Sequence, residues 1–238
     1  MIDKTVSSCA EALASVPDGA SIAIGGFGGA GMPEELIVAL LDQGARDLTV
    51  VTNNAGQGET GIAALLKARR VRKIVCSYPR MAGAHVFEAL YREGAIELEL
   101  VPQGTLAERL RAAGCGIGGF FTPTSYGTAL ADGKDTRVID GRPQVFEKPL
   151  AVDYALIHAE VGDRWGNLIY RNTARNFGPI MAMAARHTIA TVAEILDLGG
   201  LSPEAIITPG IFVDAVVVRT PPQFSQTASR ATHPETTS

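Results

Sequence analysis

The sequence predicts an α/β fold: an open, mostly parallel sheet with helices on both faces, followed by a mixed-sheet C-terminal extension. Two observations predict it. Short apolar runs rich in β-branched residues alternate with helical patterns from Ser21 to Gly114, giving four strand-plus-helix repeats. A glycine-dense stretch, SIAIGGFGGAGMPEEL (21–36), directly follows the first of these runs, and open α/β sheets bind ligands beyond such strand ends. At 238 residues the chain suits one large or two small domains with a substantial core. The patterned region, 1–220, is read as a single domain. The last segment, 221–238, is polar and expected to be disordered.

The elements follow in order. SIAIGG (21–26) is a strand, and PEELIVALLDQG (33–44) a helix with Pro33 in its first turn and Gly44 as a left-handed stop. DLTVVTNN (47–54), VRKIVCS (71–77) and IELELVPQG (96–104) are the next three strands. TGIAALLKARR, AHVFEALYREG and TLAERLRAAG are the helices between and after them, with Gly94 and Gly114 expected to be left-handed caps. Right-handed crossovers follow by default. From Gly114 to Gly133 a Gly/Thr-rich stretch lacks helical periodicity and is read as a functional loop. Beyond it, RVIDGRPQVFEKPL is a hairpin turning at Asp140-Gly141. Next come strands DYALIHAE and LIYRN around a turn at GDRWGN, and a helix near FGPIMAMAARH. HTIATVAEIL and IFVDAVVVR are the last strands, and the whole extension is expected on the same sheet.

Composition excludes several function classes. Lys and Arg number 21 against 25 Asp and Glu, a net charge of −4 with no basic stripe, so no nucleic acid is expected as partner. Three dispersed cysteines fit reduced thiols, not a disulfide framework. Four histidines without ligand spacing predict no metal site. The N-terminus MIDKTVSSCAEALASV is acidic and amphipathic, unlike a signal peptide. No apolar run reaches the roughly 18 residues of a membrane span. A soluble, cytoplasmic protein without a membrane partner is expected.

Gly26, Gly28 and Gly31 spell G-x-G-x-x-G, the pattern of a dinucleotide cradle. Two features weigh against that reading. Pro33 starts the helix after the last glycine, so the glycines belong to a longer loop. The second strand ends in Thr52-Asn53-Asn54, with no acid to hold a ribose. A glycine turn that only packs against neighbouring backbone stays open as an alternative. Asn53-Asn54 and Pro102-Gln103-Gly104 end strands at the same sheet edge, so bare and amide-bearing ends converge on one crevice. That crevice has no Lys, Arg, His base or Ser-His pair. Amides and main-chain donors suit a thioester carbonyl, a carboxylate or a pantetheine chain, and they stabilise an oxyanion.

The stretch DGASIAIGGFGGAGMP (18–33) resembles the family I coenzyme A transferase signature: Asp-Gly, an apolar run, Gly-Gly-Phe, three residues, then Gly-x-Pro. The likeness continues through TNNAGQGETG, VPQGTLAERLRAAGCGIGGFFTPTSYGT, DRWGNLIYRNTARNFGPIMA and IITPGIFVDAVV, nearly all of residues 1–218. Length and segment order are similar to the A (alpha) subunits of two-subunit 3-oxoacid CoA-transferases. The resemblance implies transfer of CoA from succinyl-CoA to 3-oxoadipate, late in the β-ketoadipate route of aromatic catabolism, or to acetoacetate or another short acid. It implies a glutamyl-CoA thioester formed on a B (beta) subunit, in a heterodimer or heterotetramer, so no catalytic residue is expected in this chain. The CoA thioester is a substrate and no cofactor is permanently bound.

The same resemblance implies that Gly25, Gly26, Phe27, Gly28, Gly29, Ala30 and Gly31 contact CoA. Asn53, Asn54 and Gln103 are expected to face the acyl carboxylate or thioester, although each could instead satisfy strand-end backbone. Glu59, the carboxylate expected beside the crevice, is read as a first-turn helix acid and not as a nucleophile. Arg80, in CSYPRMAGAH, is a candidate clamp for the far carboxylate of a dicarboxylic acid, against the alternative of a solvated surface arginine. Arg171, Arg175 and Asn176 are assigned to the surface, near a subunit face or the CoA entrance, and Phe120, Phe121 and Tyr126 to core or loop anchoring. From other classes, a dinucleotide-dependent oxidoreductase and a non-catalytic acyl-CoA sensor stay as alternatives.

Overall fold

The computed structural model describes residues 2–219, so the expected disorder at 221–238 lies outside the described residues. The chain opens with α1 (Cys9–Leu13), capped by Ser8, whose side chain accepts from the Glu11 amide at 3.1 Å. The four repeats follow as β1 (Ser21–Ile24), α2 (Glu34–Gln43), β2 (Leu48–Val51), α3 (Ile62–Lys67), β3 (Val71–Cys76), α4 (His85–Arg92), β4 (Glu97–Leu100) and α5 (Gln103–Gly114). The second half contributes β5 (Phe120–Thr122), β6 (Thr136–Ile139), β7 (Arg142–Glu147), β8 (Val152–His158), β9 (Val161–Asp163) and β10 (Leu168–Ile169). It ends with α6 (Gly178–Ala184), β11 (Ala185–Val192), β12 (Glu194–Leu196) and β13 (Ala215–Val218).

Seven strands form one parallel sheet in the order β13-β11-β8-β1-β2-β3-β4. Its centre is buried on both faces, which is why β1 reads as an unbroken apolar run in sequence. Ile22 and Ile24 point to one side, where Leu36, Ile37 and Leu40 of α2 and Leu65 and Leu66 of α3 cover them. Ala23 points to the other, toward Leu106 and Leu110 of α5 and Met181 of α6. The order reverses at β1: β2, β3 and β4 lie on one flank, β8, β11 and β13 on the other. That reversal opens a crevice at the carboxyl end of β1, where the glycine loop begins.

The extension differs from expectation in its sheet membership. β8, β11 and β13 join the main sheet, but the hairpin β6-β7 pairs with β5 in a separate three-stranded sheet. β5 itself arises inside the stretch read as a loop. Its turn is as expected: Asp140 (φ 49°) and Gly141 (φ 73°) are both left-handed, the type I′ geometry of a two-residue hairpin. HTIATVAEIL is two strands, not one. After Val192 the chain leaves the main sheet, and β12 pairs with β9 in a second small sheet, where β10 runs antiparallel on the other side of β9.

Gly44 and Gly94 are left-handed as expected, at φ 97° and 68°. Gly114 is not. It is the last helical residue of α5, and Gly116 (φ 68°) takes the left-handed position. Gly114 is bare because α6 presses against it: a Cβ there would lie 2.5 Å from Met183 Cβ and 2.8 Å from its carbonyl oxygen.

The central strands are also tied by side chains. Asp153 Oδ2 accepts from Ser21 N at 3.0 Å and Ser21 Oγ at 2.6 Å, while Asp153 N donates to Ser21 Oγ at 2.9 Å. The Ser21 side-chain and amide hydrogen bonds hold the Asp153 carboxyl below its usual range. Its stabilising contribution is therefore present above the unfolded carboxyl pKa of about 3.9 and is lost as pH falls through the lower folded value. Asp153→Asn is expected to cost about 1 kcal/mol at neutral pH in urea unfolding. The difference from wild type should shrink in acid, and a pH-independent difference would contradict the assignment.

Candidate functional site

The site is built on β1. Gly25 N continues the ladder to Leu156 O at 2.9 Å. The chain then folds into a tight turn in which Phe27 N donates to Ala30 O at 3.0 Å and Ala30 N to Phe27 O at 3.2 Å. Gly26 (φ 124°), Gly28 (φ 60°) and Gly31 (φ 73°) occupy conformations that L side chains rarely adopt. Gly29 has no such requirement, and an added Cβ would meet nothing within 4 Å. Its bareness leaves an open approach to the loop from outside this chain.

Asn176, assigned to the surface by sequence, pins this loop. Its Oδ1 accepts from Gly26 N at 3.2 Å and Phe177 N at 2.7 Å, and its Nδ2 donates to Ala30 O at 2.9 Å and Thr173 O at 2.8 Å. Gly31 allows the close approach, because a Cβ there would collide with the Ala174 carbonyl oxygen. The 172–176 turn and the glycine loop are thus braced against each other.

The amides at the ends of β2 and β4 meet as expected. Asn53 and Asn54 are each 4% exposed. Asn53 Oδ1 accepts from Ser77 Oγ at 2.8 Å and from Gln103 Nε2 at 2.7 Å. The Asn53 carbonyl accepts from the Ser77 and Tyr78 amides at 3.2 and 3.0 Å. Asn54 Oδ1 accepts from Gly56 N at 2.9 Å, closing a turn. Phe27 and Gly28 on one side and Asn53, Asn54, Ser77 and Gln103 on the other border a hollow of about 400 Å³. A neighbouring hollow of about 340 Å³ shares Phe27 and Gln103 and extends to Arg111 and Asn176. Phe27, 52% exposed, stands between them.

The ionisable groups are placed differently from the sequence reading. Glu59 is exposed, precedes α3 instead of lying in its first turn, and is paired with Lys67 at 2.7 Å. That hydrogen bond holds its carboxyl below the usual range. The carboxylate beside the crevice is Glu34, which shares a hollow of about 140 Å³ with Gly28, Gly29, Asn54 and Gly61. Partial burial raises its pKa. Arg80 is exposed and does not border these hollows, although Tyr78 and Met81 on either side of it do. Cys76 is buried, and burial pushes its thiol up to about 12, so it is no nucleophile at neutral pH. Among the described residues no cluster of His, Cys, Asp and Glu is suited to hold a metal ion, and no helix is long and apolar enough to cross a membrane.

Residues 6–219 match the family described as coenzyme A transferase. The chain belongs to the coenzyme A transferase family. This CoA-transferase chain is 63% identical over 217 residues to the alpha chain of the 3-oxoadipate CoA-transferase of Pseudomonas putida, covering 91% of this chain and 94% of the relative. It is 58% identical over 217 residues to the protein of the same name from Acinetobacter baylyi, covering 91% and 95%. The fold is shared with the acyl-CoA transferase of Escherichia coli O157:H7, with a TM-score of 0.78 at 23% identity. That match covers 91% of this chain and 47% of the other, so this CoA-transferase chain spans about half that enzyme's length. Its glycine loop is correspondingly no dinucleotide cradle: α2 begins at Glu34, beyond the last glycine of the motif.

Proposed function

We propose that this chain is the alpha chain of a 3-oxoadipate CoA-transferase, cytoplasmic, and active only when a beta chain supplies the nucleophilic glutamate. One observation carries the division of labour: the 400 Å³ hollow at the strand ends is bordered by amides, a serine, apolar side chains and bare backbone, with no carboxylate. The likeness to alpha chains of that enzyme in two organisms supports the choice of acceptor.

The chemistry asks for just such an inventory. The partner's glutamate carboxylate attacks the carbonyl of succinyl-CoA, the C–S bond breaks, and the thiolate leaves with its electron pair, giving a mixed anhydride. The thiolate then attacks the glutamyl carbonyl, releasing succinate and leaving a glutamyl thioester. The carboxylate of 3-oxoadipate attacks that thioester and expels the thiolate, which finally attacks the acyl carbonyl and frees the glutamate. Every nucleophile and leaving group is an anion, so no proton has to move, and a site without a general base suffices. What each step does need is stabilisation of a tetrahedral oxyanion. The amides of Asn53 and Gln103 and the main-chain N–H groups of Gly25 to Gly31 are the donors we assign to it, with Asn54 holding the adjoining turn.

The test is to purify the chain alone and together with a beta chain, then supply succinyl-CoA with 3-oxoadipate or acetoacetate. 3-Oxoadipyl-CoA is expected only when both chains are present. Transfer by the isolated chain would contradict the division of labour, and exclusive use of acetoacetate would contradict the acceptor.

A further inference from the structure

We propose that Arg175 is an anion-binding residue at the mouth of the acyl crevice, pairing with a carboxylate or phosphate of the substrate. The inference rests on the CoA-transfer reading above and adds to it the charge recognition that amides cannot supply.

Arg175 borders a third hollow, of about 530 Å³, together with Phe27, Ala30, Asn172, Thr173 and Asn176. This hollow shares Phe27 with the one at Asn53, and Phe27 and Asn176 with the one at Gln103. The three open around a single aromatic ring. A ligand whose thioester lies at the strand ends therefore extends naturally toward Arg175.

The turn that carries this arginine is exposed yet fixed. Residues Asn172–Arg175 form one short helical turn entered through a left-handed Asn172 (φ 49°). It is held at Ala174 by the packing against Gly31 and at Asn176 by four hydrogen bonds. The next residue, Phe177, is 6% exposed. The base of the Arg175 side chain is thereby anchored, while its guanidinium makes no hydrogen bond or ion pair to another described residue. Arg111, the other cation at these hollows, is occupied by Glu108 at 3.1 Å. No acidic residue borders the Arg175 hollow.

An unpaired guanidinium on a braced turn, beside a neutral amide site, offers two parallel donors to a planar or tetrahedral anion. Two parts of the substrates carry that chemistry: the distal carboxylate of a dicarboxylic acid and the phosphates of CoA. Arg80, the arginine that sequence favoured for the first role, lies outside these hollows.

The experiment uses the two-chain enzyme, wild type against Arg175→Gln and Arg175→Lys, with melting temperatures read alongside. Four reactions are compared. Preformed enzyme-CoA thioester is offered 3-oxoadipate or acetoacetate, and free enzyme is offered succinyl-CoA or succinyl-pantetheine, which lacks the nucleotide phosphates. Arg175→Gln is expected to lose tenfold or more in kcat/KM on an anion-bearing substrate and far less on its truncated counterpart, with Arg175→Lys recovering part of the loss. A selective loss with 3-oxoadipate identifies the carboxylate, and one with succinyl-CoA over succinyl-pantetheine identifies the phosphate. No loss, or an equal loss in all four reactions, overturns the role of Arg175. A wild-type enzyme that moves no CoA overturns the functional reading itself.

Discussion

Gly31→Val is expected to destabilise the chain by about 3 kcal/mol and to abolish CoA transfer in the two-chain enzyme, the sum of two separate penalties. Gly31 sits at φ 73°, where a side chain costs about 1–2 kcal/mol. Its Cβ would also collide with the Ala174 carbonyl oxygen and lie 3.0 Å from Asn176 Nδ2. Overpacking of that kind costs a further 1–3 kcal/mol, roughly. The damage spreads to function because the same contact seats the glycine loop: pushing Ala174 away loosens Asn176, and with it the hydrogen bonds to Gly26 and Ala30. Gly28→Ala is the control. Gly28 is also left-handed (φ 60°) but faces open space, so only the conformational cost of about 1 kcal/mol applies. Thermal melts and transfer rates of both variants check this. A Gly31→Val chain as stable as wild type would mean the loop is not seated on the 172–176 turn.

Gln103→Ala is expected to lower kcat of the two-chain enzyme about 10²-fold, the usual loss for one oxyanion donor, while costing the fold only about 1 kcal/mol. The small stability cost follows from position. Gln103 is the first residue of α5, and Asn53 Oδ1 keeps Ser77 Oγ as a second donor when the Gln103 amide is removed. Gln103→Glu is expected to be worse in kcat, because it replaces the donor that meets Asn53 Oδ1 at 2.7 Å with an acceptor. Steady-state kinetics with succinyl-CoA and 3-oxoadipate, paired with urea midpoints, separate the two effects. A kcat within about twofold of wild type in Gln103→Ala would remove the oxyanion role.

Much of the fold was legible in the chain because its signals are local. Ile22, Ala23 and Ile24 read as one apolar run since both faces of β1 are covered, and the Asp140-Gly141 turn declares its left-handed pair by residue type. The convergence of Asn53 and Gln103 followed from strand order alone. What escaped was non-local. Asn176 is tied to Gly26 across 150 residues and to Ala30 across 146, and no spacing rule reaches that far. Gly114 looked like a cap because a bare residue at a helix end usually is one, whereas here it marks contact with α6. The split of HTIATVAEIL is set by its neighbours in two different sheets, not by composition. Glu34 and Glu59 are both acids near a helix start in sequence. Only the packing of Gly61 and the reach of Lys67 turn the first toward the crevice and the second away.

The most direct test of the central claim is covalent trapping in the assembled two-chain enzyme. After incubation with succinyl-CoA alone, the acyl-enzyme is reduced with borohydride or captured with hydroxylamine, and each chain is weighed by mass spectrometry. A modified glutamate on the partner chain, with this chain at its unmodified mass, is the predicted result. A modified carboxylate on this chain, at Glu34 or elsewhere, would contradict the account.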